Sequence, residues 1–207
     1  MPERTVLEKG ARREQILDAA IQVFAKKGFQ STSVSDVIEA AGIARGTFYL
    51  YFKSKTEVFR AILDKYLHDL KENAERETRR DYSLPNLRKT VRESLLDHLR
   101  YYAANRDLAA IVLREAMALD PSFQDKCLEV CKAMQGHWAA SVERLKRLGV
   151  VKADVNSEVL NLLFTGVVLQ VVIQWILPNP RINLEKVVDD YMHILENGVL
   201  KKPFSFF

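Results

Sequence analysis

Residues 28–59 read GFQSTSVSDVIEAAGIARGTFYLYFKSKTEVF, and the punctuation of this stretch decides the fold. Ser33 has the chemistry of a helix N-cap. Its hydroxyl accepts an orphan backbone N–H, and Asp36 three positions on reaches back to the cap. Val34, Val37, Ile38 and Ala41 recur at helical spacing and form one apolar face. Gly42 ends that helix, because glycine adopts the left-handed conformation of a helix terminus without a steric penalty. Ile43 plugs the turn. A second short helix, from Arg45 to Tyr51, carries Phe48 and Phe52 inward. Helix, glycine turn, helix is the helix-turn-helix pattern, whose second helix enters the major groove of DNA.

The outward residues of that second helix are Arg45, Gly46, Thr47, Tyr49, Leu50 and Tyr51. Arg45 and Thr47 suit base edges, and Thr also offers a methyl to thymine. Gly46 lets the backbone approach DNA closely. Tyr49 and Tyr51 present phenolic donors on rigid rings, suited to phosphate oxygens. Ser54-Lys55-Thr56-Glu57 is a second capping box that opens another helix. Lys55 beside that N-terminus makes a phosphate clamp, with Ser33 as a further phosphate contact. Helical hairpins with glycine turns are common, so the motif alone leaves a purely structural hairpin as the alternative.

Gly28-Phe29, Thr32-Ser33-Val34, Ala41-Gly42-Ile43, Arg45-Gly46-Thr47-Phe48-Tyr49, Phe52 and Ser54-Lys55 resemble the DNA-binding signature of the TetR/AcrR transcriptional regulators. The resemblance spans residues 11–59. It departs at Ile38, where the family often has Ala, and at Ala44, where it often has Ser; the recognition helix therefore lacks a side-chain cap. The resemblance implies DNA binding through the residues named above. It also implies homodimerisation through the last two long helices and a pocket for an apolar or aromatic effector.

Charge agrees with the DNA reading. The 207-residue chain carries a formal net charge of +4, and residues 1–55 hold nine Lys/Arg against six Asp/Glu. Most of the positive excess therefore sits with the helix-turn-helix, as an electrostatic footprint for DNA requires. Met1 to Gly10 is polar, reads as a disordered basic arm, and has no secretory apolar core. The two cysteines, Cys127 and Cys131, are too few for a disulfide framework, which fits a reducing, cytoplasmic setting. They lie four apart with His137 nearby, but two thiols without a clear third ligand make a poor metal site, and buried structural cysteines are the favoured reading. No P-loop, GxGxxG, GxSxG or HExxH pattern occurs, so no enzyme, cofactor or metal is implied.

Outward from the motif, the pattern is helical throughout, predicting an all-α fold of about nine helices. Residues 1–55 form a three-helix DNA-binding domain, closed by a helix over 11–27 with Ile16, Leu17, Ala20, Val23 and Phe24 inward. Residues 56–207 form a larger effector-binding and dimerisation domain. The helix capped by Ser54 runs to Arg80 and is the natural lever between the two. Further helices span 87–104, 108–119 capped by Asp107, a stretch ended by Gly149, one starting after Asp154 or Asn156 and running to Leu177, and a last from Asn183 to Asn197 ended by Gly198.

Val159 to Leu177 carries no charge for 19 positions, close to a membrane span. Asn161 and Thr165 fall on one side and Gln170 and Gln174 on the other, so a buried dimer-forming helix explains the run better. Large side chains that line an effector pocket in this reading are Tyr101, Tyr102, Met117, Met134, Trp138, Phe164 and Trp175, with His98, Arg114, Gln170 and Gln174 as orienting polar groups. The function this predicts is a ligand-responsive repressor that binds a palindromic operator as a homodimer. An architectural DNA-binding protein without an effector, and a membrane-anchored helical protein, are the alternatives.

Overall fold

A computed structural model describes residues 2–113, 125, 132, 136, 139–179 and 181–199. Helix α1 (Pro2–Lys27) buries Ile16, Leu17, Ala20 and Phe24, and ends where Gly28 takes φ 79°. Its start corrects the expected disordered arm, because the chain is helical from Pro2. Polarity there argued against burial, but it does not oppose helix formation. Proline is tolerated in a first turn, where its missing N–H would have had no helical partner.

Helix α2 (Val34–Ala41) begins on a complete capping box. Asp36 N donates to Ser33 Oγ at 3.2 Å, and Ser33 N donates to Asp36 Oδ2 at 2.7 Å. Gly42 closes the helix at φ 61°. Gln15 Nε2 of α1 donates to the Ala41 carbonyl at 2.7 Å, serving an end that α2 cannot satisfy itself. Helix α3 (Arg45–Tyr51) starts from Ala44 with no side-chain cap, as the sequence implies. Helix α4 (Lys55–Thr78) starts after Ser54, whose Oγ accepts from Glu57 N at 3.2 Å. The Glu57 carboxylate reaches one residue further back than a capping box requires, accepting from Lys53 N at 2.7 Å.

Aromatic packing ties α1 to α4 and roots α3. Phe24 of α1, Phe29 of the following loop and Phe59 of α4 form a triangle with centroid separations of 5.3, 6.2 and 5.1 Å. Phe48 anchors α3 with no exposed surface, and its ring lies 6.2 Å from that of Phe52.

Helix α5 (Leu87–Ala104) and helix α6 (Arg106–Ile111) follow, then a helical stretch over 139–147 ended by Gly149 at φ 70°. Helix α7 (Ser157–Val171) is capped by Asn156, whose Oδ1 accepts from Glu158 N at 2.9 Å and Val159 N at 3.1 Å. It continues as a π-helical turn over Val172–Ile176, with Leu177 N donating to Val172 O at 2.9 Å. Helix α8 (Leu184–Ile194) is capped by Asn183 and also runs into a π-helical turn, Leu195–Val199. Two expected punctuation points differ. Asp107 sits inside the first turn of α6, because Asn105 already terminates α5; Gly198 lies within the last π-helical turn and does not end it. Every regular element among the described residues is helical.

The chain divides into two compact units, Met1–Leu70 with Asp107–Leu128 and Lys71–Arg106 with Glu129–Phe207; α4 is continuous through both. In the second unit α5 and α8 run antiparallel, joined by the pairs Arg88–Glu196 (2.6 Å), Arg92–Asp189 (2.6 Å) and Arg100–Glu185 (3.2 Å). Such exposed pairs each contribute little, so they set register more than stability.

Two outcomes test this account of the first unit. Phe59→Ala is expected to cost about 3–5 kcal/mol, read as a lowered urea midpoint. The Asp36 carboxyl is held well below the usual carboxylate range by the Lys27 ammonium at 2.7 Å and then by the amide and hydroxyl of Ser33. A depressed folded-state pKa gives stability that is present above the ordinary value and lost as pH falls through the folded one. Asp36→Asn should therefore lower Tm near neutral pH, with the gap from wild type closing as melts are taken below the ordinary value of 3.8.

Candidate nucleic-acid interface and effector cavity

Helix α3 presents one outer face. Arg45, Gly46, Tyr49 and Leu50 are exposed, whereas Thr47 and Tyr51 are half-buried. The ring of Tyr49 lies beneath the Arg45 guanidinium, 5.8 Å from centroid to Cζ, and so limits where that cation points. A Cβ built on Gly46 would meet nothing within 4 Å, so the protein's own packing does not require glycine there. The space it leaves is on the outside, where a close-approaching partner would use it. Leu50 is 83% exposed, the highest value among the exposed large hydrophobic side chains described. Its spacing alone puts it outward, and its exposure on the recognition face singles it out.

Ser33 is exposed, and its hydroxyl is engaged in the cap, accepting from Asp36 N and donating to Asp36 Oδ2 at 2.8 Å. On α1, Arg13 lays its guanidinium over Phe52 at 5.3 Å, and Arg12 donates to Gln15 Oε1 at 2.7 Å.

Lys55 is placed differently from the other expected contacts. Its ammonium donates to the carbonyls of Phe29 (2.8 Å), Gln30 (2.9 Å) and Thr32 (2.7 Å), and sits 4.7 Å from the Phe29 ring centroid. A lysine ammonium has three N–H donors, and three carbonyls meet them. The loop after α1 is thereby tied to the start of α4. Thr32, almost fully buried, adds a bond from its Oγ1 to the Gly28 carbonyl at 2.7 Å.

Two concavities lie among the described residues of the second unit. One is a cavity of about 150 Å3 lined by Leu87 and Val91 of α5, Leu145, Val150, Val151, Leu160, Phe164, Met192 and Leu195, with the Arg88–Glu196 pair at its edge. The other is a groove of about 410 Å3 along α7 and its π-helical turn, lined by Leu162, Leu163, Gly166, Val167, Gln170, Val171, Gln174 and Trp175. The residues expected to surround an effector are divided between these places. Phe164 lines the cavity and packs edge-on to Tyr191 at 5.9 Å. Gln170, Gln174 and Trp175 lie in the outer groove, the two amides bonded to each other at 3.3 Å and Trp175 49% exposed. His98, Tyr101 and Tyr102 are half-buried on α5, where His98 Nδ1 lies 3.1 Å from the Ser94 carbonyl and the two tyrosine rings meet at 5.8 Å. They line neither concavity. Arg114, Met117, Met134 and Trp138 lie outside the described residues, as do Cys127, Cys131 and His137.

The groove belongs to a broad apolar face. Val159, Leu162, Leu163, Leu169 and Ile173 are each exposed alongside Trp175, whereas Asn161 on the opposite side is buried. Among the described residues, Ser157–Ile176 is the one helix long and apolar enough to cross a membrane, with mean hydropathy 2.0 over its most apolar window.

Residues 16–62 match the profile described as bacterial regulatory proteins of the tetR family, and residues 86–199 match a tetracyclin repressor-like C-terminal domain. The chain belongs to the tetR family of bacterial regulatory proteins, which makes it a helix-turn-helix, DNA-binding transcriptional regulator. Along its length it is similar to the fatty acid metabolism regulator protein of Bacillus subtilis, 22% identical over 94% of this chain and 99% of the relative. Its fold is similar to that of FadR from Bacillus subtilis in complex with stearoyl-CoA (TM-score 0.72, 21% identity, 90% of this chain and 98% of the other). It is also similar to the ketosteroid transcriptional regulator KstR2 of Mycobacterium tuberculosis (TM-score 0.76, 20% identity, 92% and 96%).

The Lys55 geometry separates two roles by measurement. Loss of its three carbonyl bonds in Lys55→Ala is expected to cost about 1–3 kcal/mol of stability and to weaken DNA binding with the salt slope unchanged. A slope reduced by about 1 would instead mark a direct phosphate contact.

Proposed function

We propose that this chain is a homodimeric repressor that binds a palindromic operator and is released by a small apolar effector in the cytoplasm. The observation that carries the reading is the outer face of α3, where Arg45, Gly46, Tyr49 and Leu50 stand exposed on a helix rooted by the fully buried Phe48. Arg45, Gly46 and Thr47 address base edges, while Tyr49, Tyr51 and Ser33 flank them toward the phosphates. Lys55 fixes the loop that carries Ser33.

The exposed face of α7 supports a dimer. Its apolar side chains surround two glutamine amides, a mixture suited to a protein partner and poorly suited to lipid. Two copies of α7 and α8 would make a four-helix bundle about a two-fold axis. Leu163→Glu, at a residue 60% exposed in the single chain, should leave the fold intact and give a monomer in equilibrium sedimentation at micromolar concentration.

The effector class rests on chemistry and on relatives. The 150 Å3 cavity is walled almost entirely by aliphatic and aromatic side chains. The similar proteins include regulators whose names concern fatty acids and ketosteroids, and one structure holds stearoyl-CoA. A lipid-like apolar molecule is the effector these features favour. Its signal has a path through α4. Buried Glu77, near the end of α4, accepts from the Tyr82 hydroxyl and from Arg80 Nε at 2.9 Å. Arg80 Nη2 continues to Asp97 of α5 at 2.6 Å. Burial first, and then the Glu77 carboxylate, push the Tyr82 hydroxyl above its ordinary pKa, so it stays a donor. A shift of α5 around a ligand is thus handed to the far end of α4, whose first turn holds Lys55.

Selection of bound sequences from random duplex DNA tests the operator. It should return an inverted repeat with half-sites one helical turn apart or a multiple of that; an asymmetric site or no enrichment contradicts the proposal. Long-chain acyl thioesters, steroids and aromatic compounds are then titrated with and without that operator. A tenfold loss of operator affinity requires about 1.4 kcal/mol of coupling, and DNA must weaken ligand binding by the same factor. A wide set of compounds whose affinities are all indifferent to DNA would favour an architectural role.

A further inference from the structure

We propose that Leu50 is a specificity-determining residue that reads the C5-methyl group of thymine in each half-site. This rests on the DNA-binding reading of α3 and extends it. Arg45, Gly46, Tyr49 and Leu50 stand at positions i, i+1, i+4 and i+5 and so share one face of the helix. Leu50 is 83% exposed on that face, so its whole isobutyl group is open to whatever the face meets. Gly46, one turn earlier on the same face, carries no side chain that would hold the helix off the groove or screen the isobutyl group. The tip of the recognition face is therefore apolar, and Arg45, leaning on the Tyr49 ring, supplies the charge beside it.

Major-groove edges offer such a group one matching feature. Guanine presents two acceptors, cytosine a donor, and adenine an acceptor and a donor, while thymine adds a methyl to its carbonyl. Pressing a leucine onto the polar edges strips water from groups it cannot bond, which is unfavourable. Pressing it onto the thymine methyl buries apolar surface on both sides. The sugar–phosphate backbone likewise offers an isobutyl group no hydrogen bond. Leu50 thus discriminates for thymine and against the other three bases by contact and by exclusion together.

Uracil differs from thymine by the methyl alone, which gives a direct test. The operator is obtained by selection with the wild-type protein, and each thymine of the half-site is replaced in turn by uracil, symmetrically in both halves. Affinity is measured by fluorescence anisotropy at one fixed salt concentration. Losing one buried methyl is worth about fourfold, so the paired substitution should weaken wild-type binding by about sixteenfold at one thymine position. Leu50→Ala should melt with the wild type and bind the thymine and uracil operators equally at that position, while Leu50→Met should retain most of the preference. Wild-type binding indifferent to every uracil, or a Leu50→Ala protein as sensitive to uracil as the wild type, overturns the assignment and leaves the operator reading standing. Failure of selection to yield any preferred DNA overturns both.

Discussion

The loop between α1 and α2 is closed by one ammonium group, and the recognition face depends on it. Lys55 donates to the carbonyls of Phe29, Gln30 and Thr32 in the turn after α1, where the Phe29 carbonyl also accepts from Thr32 N at 3.3 Å. The same contact presses Phe29 between Phe24 and Phe59. A helix of seven residues such as α3 has little stability of its own, since short helices in water are marginal. Its position is imposed by Phe48 below and by the neighbours that the Phe triangle holds in place. Order at the outer face of α3 therefore rests on packing beneath it, to which the Lys55 ammonium contributes by holding the loop after α1.

Helix α4 is anchored near both of its ends. Its first turn holds the loop after α1, and its last turns hold the Glu77–Arg80–Asp97 network onto α5. Both ends are fastened by charged groups with several partners each, and the body between them buries Val58, Ile62, Leu63 and Tyr66.

Local chemistry was legible in the sequence, and distant chemistry was not. The Ser33–Asp36 box, the Gly42 terminus, the missing cap at Ala44 and the Asn183 cap each involve residues within four positions, so residue type and spacing suffice, whereas Asp154 and Asn156 are equal candidates by type and the structure selects Asn156. The division of α7 into a side with buried Asn161 and a side with exposed Gln170 and Gln174 followed from helical geometry. Lys55 was a different matter, because its partners lie 23 to 26 positions away and a lysine's reach in sequence is invisible to periodicity. The effector residues divided for a related reason. Large side chains at helical spacing identify a face, but whether that face turns to a cavity, as for Phe164, or to the outside, as for Trp175, depends on the neighbouring helices. The π-helical turns after α7 and α8 have no sequence signature comparable to a cap, and Gly198, which looks like a stop, lies inside one of them. Leu50 is outward by helical spacing, but its residue type carries no hydrogen-bonding signature for a base edge.

The claim on which the rest stands is that DNA lies against the outer face of α3. Amide hydrogen exchange of the full chain, with and without a selected operator duplex, measures this directly. Slowed exchange concentrated in α2, α3 and the turn from Phe52 to Lys55, with α7 unchanged, is the result this account predicts. Protection that spares α3, or that falls on the exposed face of α7, would contradict it.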